Sequence, residues 1–140
     1  MSANRAFRLT FAAAVILEIA RLLPIGETIN TVGFWTRYAL LLAFGFLAAR
    51  GGSGYRYALA RTWFFVGLWL AFGVVGALVD TTLFRSEMAP TLSPDKRWLA
   101  FGGYVFATIL LLPIAFAASA LGVLAARLFS KLWHDPSRAS

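Results

Sequence analysis

The chain has 140 residues, of which 60% are hydrophobic and 14% charged, with 13 Lys and Arg against 6 Asp and Glu for a formal net charge of +7. A soluble domain carries about 25% charged residues to cover its surface, so this composition excludes an ordinary water-soluble globule and makes lipid the expected solvent for most of the chain. The absence of cysteine, and a single histidine at His134, exclude disulfides, thiolate metal sites and a haem held by two intramembrane histidines.

In chain order, the first apolar run covers residues 9–25, after a basic lead of Arg5 and Arg8. Such a start resembles a signal peptide, but Glu18 and Arg21 occupy the stretch where small residues would prepare a cleavage site. An uncleaved helix over 7–24 is expected, ended by Pro24 and Gly26. The second run, 38–49, is flanked by Phe34, Trp35 and Thr36 and stops at Arg50-Gly51-Gly52. It predicts a helix over 34–50, marginal against the roughly 20 residues that a hydrocarbon core requires, with Trp35 and Tyr38 as interfacial anchors. Gly51-Gly52-Ser53-Gly54 reads as a flexible turn, since it lacks the lysine of a phosphate-binding loop.

The third run, 62–79, carries Trp63, Phe64, Phe65, Trp69 and Phe72, closes at Asp80, and predicts a helix over 58–82. Its aromatics are expected to face lipid or fill the bundle, in preference to forming a quinone or carotenoid groove. A polar hairpin over 85–96 follows, in which Ser93-Pro94-Asp95 makes a good helix start. The fourth run, 98–126, is the longest; at 1.5 Å per residue it spans roughly 43 Å against a core of about 30 Å. Tilting, or a kink at Pro113, would absorb the excess. A helix over 94–130 and a polar, unstructured tail over 131–140 complete the chain. The expected fold is all-α: one domain, a bundle of four transmembrane helices with short loops.

Alternate crossings would place Arg5, Arg8, Arg50, Arg56, Arg61, Arg127, Lys131 and Arg138 on one side, and Arg21, Arg37, Arg85, Lys96 and Arg97 on the other. The richer side is the cytoplasmic one by the positive-inside rule, so both termini are expected there, in a bacterial inner membrane. Arg50, Arg56, Arg61, Arg127 and Lys131 border the apolar runs, where anionic lipid headgroups favour them. Nucleic acid is not an expected partner, because no soluble face remains to dock it.

Glu18 and Arg21 are the foremost candidate site. They stand three apart on one helical face, and ionisable groups inside a bilayer are expensive enough to be retained for a reason. Two readings stay open: a proton or cation site, and a structural ion pair near the outer boundary with Arg21 snorkelling outward. Asp80, Arg37 and Arg97 are expected on the same side, as a polar vestibule, a charge network or ordinary helix-end charges. Ala118, Gly122 and Ala126, and Gly67 with Ala71, recur every four positions as candidate helix-packing ridges, with room for a partner if one ridge is left over. Glu27, Glu87 and Asp95 read as solvated loop charges; no catalytic set, metal cluster or cofactor motif is present.

The stretch Ala14-Val15-Ile16-Leu17-Glu18 resembles the glutamate-bearing first helix of small multidrug resistance transporters, which are also four-helix proteins. Gly33-Phe34-Trp35-Thr36-Arg37 resembles the opening of RDD-type membrane proteins. Each likeness covers five residues. Arg21, the long fourth run and the polar hairpin depart from the first pattern, and the second lacks its following intramembrane aspartate, so neither family is assigned. The expected function is a small non-enzymatic membrane protein, an accessory or scaffold subunit packing against partner helices; the alternative is a small oligomeric transporter or channel using Glu18. A scaffold requires Glu18 tied to Arg21 or a neighbouring helix end; a transporter requires it to face a cavity or a second copy.

Overall fold

A computed structural model describes residues 1–23, 27–79 and 94–133 of the chain. All of its regular structure is helical: α1 (Ala3–Leu22), α2 (Glu27–Arg50), α3 (Tyr55–Val79) and α4 (Pro94–Trp133). Asp80, most of the polar hairpin, Pro24, Gly26 and the tail from His134 lie outside the described residues.

Each helix extends beyond the apolar run that announces it, because polar residues at a helix end meet water while the backbone ladder continues. α1 begins at Ala3 instead of residue 7, where the Ser2 hydroxyl accepts from the Arg5 N–H at 3.4 Å and caps the first turn. α2 begins at Glu27 instead of residue 34, which corrects the reading of Glu27 as a loop charge. An acidic residue at a helix start complements the dipole, and Thr36 returns its hydroxyl to the Val32 carbonyl at 2.8 Å, so its polar group is satisfied within the helix. The 24 residues of α2 reach about 36 Å, and the expected shortfall disappears. α4 continues through Pro113 to Trp133, three residues into the stretch expected to be tail.

Three helices contain segments long and apolar enough to cross a membrane: Thr31–Arg50, Tyr55–Gly76 and Phe101–Leu132. α1 differs by charge. Any 18 consecutive residues of it include at least three of Arg5, Arg8, Glu18 and Arg21. Yet its inward stripe, Ala6, Thr10, Ala14, Glu18 and Arg21, follows a spacing of four, four, four and three, so two of those charges are buried against the other helices.

Packing rests on small residues where backbones cross and on aromatics where they diverge. A Cβ on Gly45 would collide with the Ser119 carbonyl oxygen, and one on Gly122 with the Leu42 carbonyl oxygen, so α2 and α4 touch backbone to backbone. Ala126 is buried and Ala118 packs on the same core, so the ridge of Ala118, Gly122 and Ala126 is spent inside the chain. Gly67 and Ala71 face outward, and a Cβ on Gly67 would meet nothing within 4 Å. Among the described residues, that pair packs against no other helix. Between α1, α2 and α3, the rings of Phe7, Phe11, Phe44 and Phe65 form one cluster with centroids 5.4–6.0 Å apart. α3 divides its aromatics: Phe65 and Trp69 point inward, Trp63 and Phe64 outward.

The turn between α2 and α3 returns the Ser53 N–H to the Ala48 carbonyl at 3.1 Å, and Gly52 takes the left-handed conformation (φ +88°). The Tyr57 hydroxyl donates to Asn4 Oδ1 at 2.8 Å, and the Arg127 guanidinium covers the Tyr55 ring at 4.5 Å. The chain start, the α2–α3 turn and the end of α4 therefore share one end of the bundle. That end carries Arg5, Arg8, Arg50, Arg56, Arg61, Arg127 and Lys131 and, among the described residues, no acid.

Gly122→Leu is expected to cost about 3 kcal/mol or more, as overpacking against a backbone that cannot yield. Gly67→Ala should be neutral or stabilising by up to about 1 kcal/mol, since it adds helix propensity in open space. Thermal unfolding of the two variants in the same detergent separates these outcomes.

Candidate functional site

At the end opposite the arginine-rich one, α1 and α2 meet at a single carboxylate, and α3 and α4 surround its arginine partner. Glu18 of α1 has no exposed surface, and Arg21 and Arg37 are 4% and 3% exposed. An ion in such surroundings costs several kcal/mol unless it is paired and its lone pairs are engaged. Glu18 meets that requirement. Arg37 of α2 donates from Nε to Oε1 and from Nη2 to Oε2, each at 2.5 Å, in the parallel fork that guanidinium and carboxylate favour. Arg21, one turn along α1, approaches Oε2 from Nη1 at 3.4 Å.

The arginines are held by what surrounds them. Arg37 Nη2 also donates to the Tyr104 hydroxyl of α4 at 3.1 Å, and that hydroxyl donates to the Trp69 carbonyl of α3 at 3.0 Å. The Arg37 guanidinium lies 5.2 Å from the Trp69 ring centroid, with the rings of Phe34 and Tyr104 at 6.0 and 5.9 Å, so aromatic faces replace water around the cation. Trp69 Nε1 is buried without a hydrogen-bond partner in this shell. Two glycines make the space. A Cβ on Gly33 would press the Arg21 side chain at 3.0 Å, and one on Gly73 would sit 2.6 Å from the Tyr104 ring.

The cluster lies shallow. Arg37 is six residues inside the start of the apolar segment Thr31–Arg50, or about 9 Å at 1.5 Å per residue. Both carboxylate oxygens of Glu18 are occupied by cations, an arrangement suited to locking helices together and unsuited to accepting another cation. Among the described residues, no group of three His, Cys, Asp or Glu side chains could hold a metal ion.

Of the candidate residues, Glu18 and Arg21 lie together and Arg37 joins them from the next helix. Asp80 and the side chains of Lys96 and Arg97 lie outside the described residues. Arg50, Arg56, Arg61, Arg127 and Lys131 are at the other end, where Arg61 stacks on Phe7, Phe64 and Tyr57 at 4.8, 5.2 and 5.5 Å. Sequence reading passed over Tyr104 and gave Trp69, Gly33 and Gly73 no part in this site. The one available signal was a lone tyrosine inside the long apolar run of α4, a place where a hydroxyl must find a partner. Comparison with protein-family models, with characterised proteins and with solved structures gives no significant match.

Glu18→Leu should destabilise the fold by about 3–5 kcal/mol, because it strands two buried guanidinium groups. Removing Arg37 as well should recover part of that loss, so a double-mutant cycle on Glu18 and Arg37, read by thermal unfolding, is expected to show strong positive coupling. Tyr104→Phe should cost about 1 kcal/mol, since Arg37 keeps Glu18 and the Trp69 carbonyl keeps its helical partner, and only the bonds of the hydroxyl itself are lost.

Proposed function

We propose that the chain is an integral membrane protein of four spans, in a bacterial inner membrane with both termini cytoplasmic, acting as a non-enzymatic accessory or scaffold subunit. The observation that carries the reading is the state of Glu18: fully buried, doubly held by Arg37 and approached by Arg21. A transport site needs an acid that meets an aqueous path or a second copy, and a carboxylate consumed in joining α1 to α2 does neither.

The same pairing supports α1 as the fourth span. Its charge content sets it apart from the other three helices, but Glu18 and Arg21 turn inward, and Leu9, Ile16 and Ile19 remain exposed as the surface a lipid would cover. Arg5 and Arg8 are then at its cytoplasmic headgroup level. The concentration of basic residues at one end, without described acids, supports the orientation.

Support for a partner comes from α3. Gly67 and Ala71 form a shallow face between the exposed Phe64 and Val74, and among the described residues no helix packs on it. Helices in lipid associate through close backbone approach at such residues.

The test is gentle extraction from the native membrane, sizing in detergent and mass spectrometry of what accompanies the chain. A stoichiometric larger membrane protein is expected, lost in Gly67→Leu while the thermal unfolding of the chain itself is unchanged. A clean homo-oligomer that mediates flux, abolished by Glu18→Gln, would favour the transporter alternative instead. Reporter fusions at both ends should report a cytoplasmic location.

A further inference from the structure

At the arginine-rich end, the last turns of α2 and α4 diverge and leave a groove of about 580 Å³, within the range of small-molecule sites. Its walls are apolar: Phe46 and Ala49 from α2, Ala126 and Phe129 from α4, with the Phe46 and Phe129 rings edge-to-face at 6.2 Å. Its mouth is cationic. Arg50 and Arg127 border it from the two helices. Their guanidinium groups rest on aromatic faces, Arg50 on Phe46 at 5.9 Å and Arg127 on Tyr55 at 4.5 Å. Among the described residues neither has a carboxylate within ion-pair distance. A second recess of about 300 Å³, lined by Met1, Leu47 and Arg50, shares Arg50 with the groove.

We infer that this groove binds an anionic glycerophospholipid, its phosphate held between Arg50 and Arg127 and one acyl chain laid on Phe46, Ala126 and Phe129. The argument is charge complementarity at a fixed depth. The apolar segments Thr31–Arg50 and Phe101–Leu132 both end here, so the groove runs from the hydrocarbon edge into the headgroup layer. Two arginines with no described acid beside them attract an anion, and the walls below them favour an apolar chain covalently attached to it. A free phosphate satisfies the first demand only; an uncharged or zwitterionic lipid satisfies only the second in full. The smaller recess receives the second acyl chain, with Arg50 bordering both. The inference rests on the membrane-spanning reading, which fails separately if alkaline carbonate releases the chain from membranes.

The test uses the full chain, delipidated in detergent and titrated with phosphatidylglycerol or phosphatidylcholine, read by native mass spectrometry and by thermal shift. The native chain should retain one phosphatidylglycerol preferentially and melt higher with it. The double variant Arg50→Gln/Arg127→Gln should lose about tenfold or more in that affinity, given about 1 kcal/mol for each basic residue near an anionic surface. Phe129→Ala, which keeps both charges, should weaken it several-fold, and Arg56→Gln, exposed but outside the groove, should leave it unchanged. Melting without lipid confirms that each variant is folded. Equal retention of the two lipids would overturn the proposal, as would an unaltered double variant. So would an effect of Arg56→Gln as large as that of the double variant, which would indicate diffuse charge attraction. Displacement of the lipid by millimolar inorganic phosphate would also overturn it, reducing the site to an anion contact.

Discussion

A carboxylate with no access to water must find its counter-charge inside the protein, and Glu18 finds it on a different helix. Moving such a group out of water costs several kcal/mol, which only close, well-directed pairing offsets. The fork from Arg37 supplies that pairing, and in doing so fixes the height and rotation of α1 against α2. The remaining donors and ring faces then have to be matched in turn. Tyr104 brings α4 to Arg37 and hands its own proton to the Trp69 carbonyl of α3. The pairing of Glu18 with Arg37 thereby links α1 to α2 and, through Tyr104 and Trp69, to α4 and α3.

The opposite end solves a different problem. Its arginines are many and its described acids none, so they are stabilised against aromatic rings: Arg61 on Phe7, Arg127 on Tyr55, Arg50 on Phe46. Such stacking orders the stem and leaves the charge facing outward. Among the described residues, paired charge is thus buried at one end and basic charge is displayed at the other. Both features follow from where lipid, headgroup and water would lie in a membrane-spanning arrangement.

Between the two ends, α2 and α4 are held by contact of their backbones. Gly45 meets the Ser119 carbonyl and Gly122 the Leu42 carbonyl, an approach that no side chain at those positions would permit. The dispersion gained there takes the place of a hydrophobic drive that lipid does not supply. Where no such approach is available, between α1, α2 and α3, the gap is filled by the Phe7, Phe11, Phe44 and Phe65 rings.

Apolar run length and charge position are local properties of the chain, so its all-helical character, the number and order of its helices and the collection of basic residues at one end were legible before any packing was known. The sequence marked Glu18 and Arg21 as a pair because three residues in a helix make one face. It misjudged the start of α2, placed at residue 34, since the polar residues Glu27, Thr28, Asn30 and Thr31 precede the apolar run although the helix already includes them. Which of two similar small-residue ridges is spent inside the bundle emerged from packing: Ala118, Gly122 and Ala126 are, while Gly67 and Ala71, among the described residues, are not. The meeting of Tyr104 and Trp69 with Arg37, from three different helices, likewise came from packing. In an apolar helix every face looks alike to the sequence, and rotation about the axis is set by the partner that each buried polar group must reach.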